Sequence, residues 1–266
     1  ITESDLSGIL TMGGTILGTS REKPFKKGTY NDYIRSKPEI IKETYRTMNL
    51  DSLVCIGGNG TMKTASKLAD EGLNVVGVPK TIDNDVWGTD ETFGFDSALS
   101  IATEAIDRIH TTANSHKRVM VIEVMGHHTG WLSLYAGIAG GGDVILIPEI
   151  PFNEEYVAEY LTNRSNSGKP YSIVVVAEGI EQPKKKKKKK SAGRYIAKRL
   201  QELTDLTTRE TILGYIQRGG TPTARDRILA TRLGAYAANM AAKGDYGKMA
   251  ALKDGEMIAV PLSEVA

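Results

Sequence analysis

The feature that most constrains this chain is the stretch from Ser52 to Asp85. It opens on a short apolar run, Ser52-Leu-Val-Cys-Ile56, bounded by turn residues, which reads as a buried parallel strand. Gly57, Gly58 and Gly60 crowd the next turn, and a helix-compatible run starts near Thr61. A strand, a glycine turn and a helix N-terminus make a phosphate cradle, because small residues let the backbone approach and free N–H groups face the anion. A second strand, 74–78, ends at Pro79-Lys-Thr-Ile-Asp-Asn-Asp85. This sets a lysine, a hydroxyl and two carboxylates at a strand's carboxyl end, where open α/β sheets bind ligands. Alone, the glycines read as an ordinary tight turn, and Asp83 and Asp85 as a solvated loop with a helix cap. Two such motifs on successive strands point to a phosphate site.

The rest of the chain carries the same alternation. Helical spacing runs over 38–48, with proline in the first turn, and over 96–112, 128–140, 152–163, 191–203 and 223–242. Apolar strand-like runs cover 117–126, 142–148, 171–179 and 256–261. Strands alternating with helices, with polar residues at strand ends, predict an α/β fold built from doubly wound sheets. At 266 residues there is room for one large or two modest domains. A net charge of +2 gives no basis for nucleic-acid or membrane binding, and no run of eighteen apolar residues suggests a span. The single Cys55 rules out an internal disulfide and fits a reducing cytoplasm. Trp87, Phe93 and Phe95 read as packing residues, and His110 and His116 as surface or capping residues. The seven lysines of 184–190 read as an exposed loop of repelling charges.

The glycine turn Gly57-Gly-Asn-Gly-Thr61 followed by Pro79-Lys-Thr-Ile-Asp-Asn-Asp85 resembles the phosphofructokinases. The glycine turn is shared with NAD and diacylglycerol kinases, whereas the second string is highly specific. The resemblance extends to about Ala237. Gly13-Gly-Thr-Ile-Leu-Gly-Thr-Ser-Arg21 is similar to the family's G-G-T-x-L-G-x-x-R segment, and Leu213 to Pro222 to its L-G-x-x-Q-R-G-G-x-P. The family ordinarily opens with a further strand, a glycine loop and a helix, so the resemblance implies a donor domain lacking its first elements.

The implied fold is two similar doubly wound, Rossmann-like domains with the active site in the cleft between them. The implied boundaries are 1–113 for the donor-phosphate domain, completed by part of the C-terminal region, 114–237 for the sugar-phosphate domain, and 238–266 for a C-terminal segment. The implied reaction is phosphoryl transfer to the 1-hydroxyl of fructose 6-phosphate, giving fructose 1,6-bisphosphate in glycolysis. Asp83 is the implied base. Thr81 and Asp85 position sugar or metal, and Arg21 and Lys80 neutralise the transferred group. Gly57, Gly58, Asn59, Gly60 and Thr61 hold the donor phosphates. Arg118, Met125, Gly126, His127, Glu178, Arg209, Tyr215 and Arg218 match sugar-phosphate contacts. Arginine suits that work by its fixed charge and bidentate fork; alone, each arginine reads as a surface residue or ion pair.

Three positions depart from the pattern. Asn59 stands where the family has a magnesium-binding aspartate, leaving Asn59 and Asp85 as weak metal ligands; a neutral amide holds a hard cation less well. His127 replaces the arginine of M-G-R, and Tyr215 sits where some members have histidine. Gly60 leaves room for ATP, whereas Lys80 looks like a residue of pyrophosphate-dependent members; the combination reads as ATP-dependent, with Mg2+. A homo-oligomer, dimer or tetramer, with arginines shared across the interface is implied. The alternative is a weakly active or inactive family member that binds sugar phosphate as a regulator.

Overall fold

The computed structural model describes residues 2–20, 22–25, 36–183 and 191–265. In order, the elements are α1 (Glu3–Leu6), α2 (Lys37–Thr47), β1 (Leu53–Gly57), α3 (Asn59–Asp70), β2 (Val75–Thr81), β3 (Phe93–Gly94) and α4 (Phe95–His116). There follow β4 (Val119–Val124), α5 (Trp131–Ala139), β5 (Val144–Leu146), α6 (Glu154–Asn166), β6 (Ser172–Ala177), α7 (Ala192–Leu203) and β7 (Thr208–Ile212). The chain ends with α8 (Ala224–Lys243), β8 (Lys248–Lys253), β9 (Glu256–Pro261) and α9 (Leu262–Val265), and short 3₁₀ turns cover Ile9–Thr11 and Gly214–Arg218. The α/β class is as the sequence predicts.

The chain divides into two compact units, each made of more than one stretch of chain. The first comprises 1–13, 82–84 and 94–223, and the second 14–81, 85–93 and 224–266. Helix α4 therefore belongs with the sugar-phosphate strands, and α8 with the glycine turn.

In the first unit four strands run parallel in the order β5-β6-β4-β7. Every residue of β6 is buried, because successive side chains point to opposite faces and both faces are covered. Ile173 and Val175 pack with Ile122 and Val124 against α4 and α5, through Ala98, Ala102, Ile106, Leu132 and Ala136. Val174 and Val176 pack with Val121 against α6 and α7, through Ala158, Leu161, Ile196 and Leu200. Truncating a side chain such as Leu200, 1% exposed, to alanine removes about 2–5 kcal/mol of stability. Of the two readings of His110 the capping one holds: half-buried, its Nε2 lies 2.7 Å from Gly140 O at the C-cap of α5 and its Nδ1 3.1 Å from Tyr171 Oη, tying α4 to α5 and to the start of β6.

The second unit has a sheet in the order β1-β2-β8-β9, with β3 paired to β2. Strands β1, β2 and β8 are parallel and β9 is antiparallel to β8. Met62, Ala65 and Leu68 of α3 pack on one face with Val75, Met249 and Leu262, and Leu229, Leu233 and Ala237 of α8 cover Val76, Val78 and Ala250 on the other. Strand β1 is not buried as expected. It is an edge of this sheet among the described residues, with Val54 46% and Ile56 48% exposed. Trp87 is also exposed rather than packed, whereas Phe95 is buried. In α2, Ser36 N and Oγ both donate to Glu39 Oε2, at 2.7 and 2.9 Å, closing a capping box around the proline.

Candidate active site

Each unit carries one group of the residues singled out above. In the second unit, Gly58 is the N-cap of α3, and the helix begins at Asn59 with its first backbone N–H groups directed out of the helix end. A side chain at Gly57 would put Cβ 2.2 Å from Thr61 Oγ1, and one at Gly58 would lie 3.3 Å from Thr81 Cβ. The close approach of the turn to Thr61 thus favours glycine at 57, and Gly58 lies in tight contact with Thr81. A Cβ at Gly60 would meet nothing within 4 Å. Among the described residues no protein atom requires glycine there, and the space beside it is open.

Strand β2 ends at Thr81, beside the glycine turn. Asn59 Nδ2 donates to Asp85 O at 2.8 Å and to Asp85 Oδ2 at 2.9 Å. Asn59 therefore fixes the loop by its amide nitrogen rather than presenting a carboxylate of its own. Beyond Asp85 the loop is pinned to the β8–β9 hairpin. Lys253 Nζ donates to Asp90 Oδ1 and Asp254 N to Asp90 Oδ2, both at 2.7 Å, and these hydrogen bonds hold the Asp90 carboxyl below the usual carboxylate range. Arg225 grips Glu91 with two nitrogens at 2.6–3.0 Å. Lys80 is exposed. Arg21 lies outside the described residues, as do the lysines of 184–190.

In the first unit the sugar-phosphate candidates gather where β4 and β6 end. Glu178 follows β6 directly, and its Oε1 accepts from Gly126 N at 3.3 Å and His127 N at 2.8 Å. This clamps a strained turn: His127 has φ 55° and Gly126 φ 149°, and a Cβ on Gly126 would press to 2.5 Å from Thr129 O. The His127 and His128 rings lie 3.8 Å apart. Gln217, 1% exposed, accepts from Met125 N at 3.3 Å through Oε1 and donates to Gly214 O at 3.0 Å through Nε2. It joins the Met125 turn to the 3₁₀ turn that carries Tyr215 and Arg218. In that turn residues three apart eclipse, and the Arg218 guanidinium sits 5.5 Å from the Tyr215 ring. Gly13 meets the same region; its Cβ would lie 2.3 Å from Gly220 O. Asp83 belongs to this unit, and its carbonyl accepts from Thr129 Oγ1 at 3.1 Å.

Arg118 and Arg209 stand apart from that group. They lie at the amino ends of β4 and β7, whereas Met125, Gly126 and Glu178 lie at carboxyl ends of the same sheet. A strand of this length spans about 20 Å. Behind the turn, Glu123 of β4 is 8% exposed and accepts from Gly193 N at 2.6 Å, anchoring the N-terminus of α7. Burial pushes its carboxyl up, the Gly193 N–H offsets part of this, and the nearby Glu178 charge adds to it. Gln217, Thr129 and Glu123 were not singled out as ligands. Only Gln217 carried a signal, its place in the Q-R-G-G string.

Among the described residues no cluster of three or more His, Cys, Asp or Glu side chains is placed to hold a metal. Magnesium in phosphoryl-transfer sites needs only one or two carboxylates plus the substrate phosphates. Asp85, with its Oδ2 held by Asn59, fits that role. No helix of the described residues is long and apolar enough to cross a membrane.

The chain has relatives among known proteins. The phosphofructokinase family profile matches residues 1–241. The chain is 58% identical, over 265 residues, to ATP-dependent 6-phosphofructokinase 3 of Bacteroides thetaiotaomicron, covering 100% of itself and 77% of that protein. It is 47% identical over 274 residues to the pyrophosphate–fructose 6-phosphate 1-phosphotransferase of Amycolatopsis methanolica, covering 98% and 78%. Among solved structures it superposes on Pichia pastoris phosphofructokinase in the T-state with a TM-score of 0.87 at 32% identity, covering all of this chain and 30% of that one. A pyrophosphate-dependent phosphofructokinase from Marinobacter aquaeolei gives 0.82 at 26% identity, with 100% and 69% covered. The chain belongs to the phosphofructokinase family. It spans about three quarters of these curated relatives and less than a third of the Pichia chain.

Proposed function

We propose that this protein transfers the terminal phosphoryl group of ATP to the 1-hydroxyl of fructose 6-phosphate. The observation that carries the reading is the end of β2 at Thr81 beside a helix N-terminus whose Gly57 presses on Thr61, with Asp85 held by Asn59 of that helix. The Asp83 carboxylate accepts the proton of the sugar's 1-hydroxyl. That oxygen forms the new P–O bond as the bond between the β–γ bridging oxygen and the γ-phosphorus breaks, releasing ADP. The N–H groups at the start of α3 and Gly60 receive the donor phosphates, and Lys80 and Arg21 balance the charge of the transferred group. Asp85, positioned by Asn59, would hold Mg2+, which neutralises charge on the donor phosphates when bound. ATP is favoured over pyrophosphate because a Cβ at Gly60 would meet no described atom within 4 Å, leaving room there. Relatives at 58–59% identity are also named as ATP-dependent.

On the sugar side, Gly126, Met125 and His127 face the substrate on a turn that one oxygen of Glu178 holds, and the other oxygen takes sugar hydroxyls. Tyr215 and Arg218 meet the 6-phosphate. Arg118 and Arg209, at the far end of the strands, serve the site of a neighbouring copy, so the active form is a homo-oligomer. A phosphorylated sugar is retained by membranes, which places the enzyme with it in the cytoplasm. The regulatory reading, a sugar-phosphate-binding protein without turnover, draws no support from relatives whose names are those of enzymes. Asp83→Asn tests the assignment. Its kcat should fall by about 1,000-fold or more with fructose 6-phosphate affinity nearly unchanged, and an unchanged rate removes Asp83 from the mechanism.

A further inference from the structure

We propose that Thr129 is a positioning residue for Asp83, an inference that rests on Asp83 acting as the base. Thr129 follows the clamped turn and is half-buried. Its Oγ1 lies 3.1 Å from Asp83 O and 3.1 Å from Gly126 O. Both are carbonyl acceptors, so one hydroxyl proton serves two backbone segments distant in sequence. The turn does not need this hydroxyl, because Thr129 N already donates to Gly126 O at 2.9 Å and Glu178 holds Gly126 and His127 from the other side. The hydroxyl adds the link from that turn to the backbone of Asp83.

Two features make the link exacting. Asn84, next to Asp83, has φ 51°, a left-handed conformation that a non-glycine residue keeps only when its surroundings hold it. Thr129 in turn has little slack, since its carbonyl oxygen lies where a Gly126 Cβ would stand 2.5 Å away. The Thr129 hydroxyl is therefore a fixed peg against which the Asp83 carbonyl is set. The peg joins the element that carries the base to the one that carries the sugar contacts. A displacement of about 1 Å in a catalytic group costs up to about 100-fold in rate.

The test compares Thr129→Val, which keeps the shape and removes the hydroxyl, with Thr129→Ser, which keeps the hydroxyl. Asp83→Asn is run alongside, with thermal melting of each variant. The valine variant should lose about 10-fold in kcat while KM for fructose 6-phosphate moves less than about 3-fold, and serine should restore kcat to within about 3-fold of the parent. A valine variant with the parent's kcat overturns the proposal, as does a serine variant as slow as valine. A valine variant with raised KM and unchanged kcat also overturns it, by assigning the hydroxyl to sugar binding. If the valine chain does not fold, Thr129→Ala against Thr129→Ser decides the same question. An active Asp83→Asn chain would remove the base itself; an inactive one beside a normal Thr129→Val chain would remove only the role of Thr129.

Discussion

The two units build their candidate sites by different means. In the second unit the candidate site is backbone: a helix N-terminus, Gly57 pressed against Thr61, Gly58 close to Thr81, and Gly60 beside open space. In the first unit it rests on side chains that hold backbone in place. Glu178, Gln217 and Thr129 each bond to main-chain atoms of the Met125–Thr129 segment or its neighbours. A triphosphate offers much the same charged surface along its length, and a row of N–H groups suffices for it. A sugar phosphate presents hydroxyls and a phosphate at fixed spacing, and a strained turn clamped from behind is a way to match them.

This contrast is open to attack at its strongest point first. Glu178→Ala frees two N–H groups and the turn they hold. KM for fructose 6-phosphate should rise about 10- to 100-fold while KM for ATP stays within about 3-fold, as steady-state kinetics with each substrate varied will show. Equal losses for both substrates would mean that the two halves are not separate in function. The glycines sharpen the other side. Gly60→Ala should leave thermal stability within about 1 kcal/mol of the parent, since the added methyl meets no protein atom. Its KM for ATP should rise about 10-fold. Gly57→Ala should do the reverse in kind, losing about 1–3 kcal/mol of stability because Thr61 must move. Urea melts and donor kinetics on both variants separate ligand demand from packing demand.

The backbone-built half was the more legible in sequence, because glycines and a rare string such as Pro79 to Asp85 are written in consecutive residues. What escaped notice was non-local. Asn59 reads as a weakened metal ligand, but its amide turns to Asp85, twenty-six positions away. Strand β8 and its antiparallel partner complete the sheet from the chain's end, and only β9 was expected. The readable signal was Asp254-Gly255, both at positive φ between Lys253 and Glu256, as a two-residue hairpin turn requires. Strand β1 has the apolar composition of a central strand but holds an edge position, which composition does not encode. In the first unit the supporting residues Gln217, Thr129 and Glu123 act through contacts 46 to 92 positions apart, and only Gln217 lies in a string that marks it. Arg118 and Arg209 sit in well-matched strings, yet their distance from Glu178 along the strands appears only once the sheet is assembled.

The smallest effect concerns the support behind the sugar turn. Burial holds the Glu123 carboxyl above its ordinary value of 4.5, so its ionisation opposes folding. Its contribution to stability is full below pH 4.5 and is lost as pH rises through the folded-state value. Glu123→Gln keeps an acceptor for Gly193 N–H and removes that loss. Its stability relative to the parent should improve as pH rises from 4 to neutrality, read from melts across that range. A difference that does not vary with pH would show that Glu123 does not titrate between those limits.

The most direct trial of the whole account is product formation. The protein is incubated with fructose 6-phosphate and Mg2+, with ATP in one arm and pyrophosphate in the other, and fructose 1,6-bisphosphate is measured. Product in the ATP arm, with far less or none from pyrophosphate, is the predicted result. Product from pyrophosphate alone would contradict the role given to Gly60. A folded protein that binds fructose 6-phosphate but yields product in neither arm would contradict the phosphoryl-transfer reading itself.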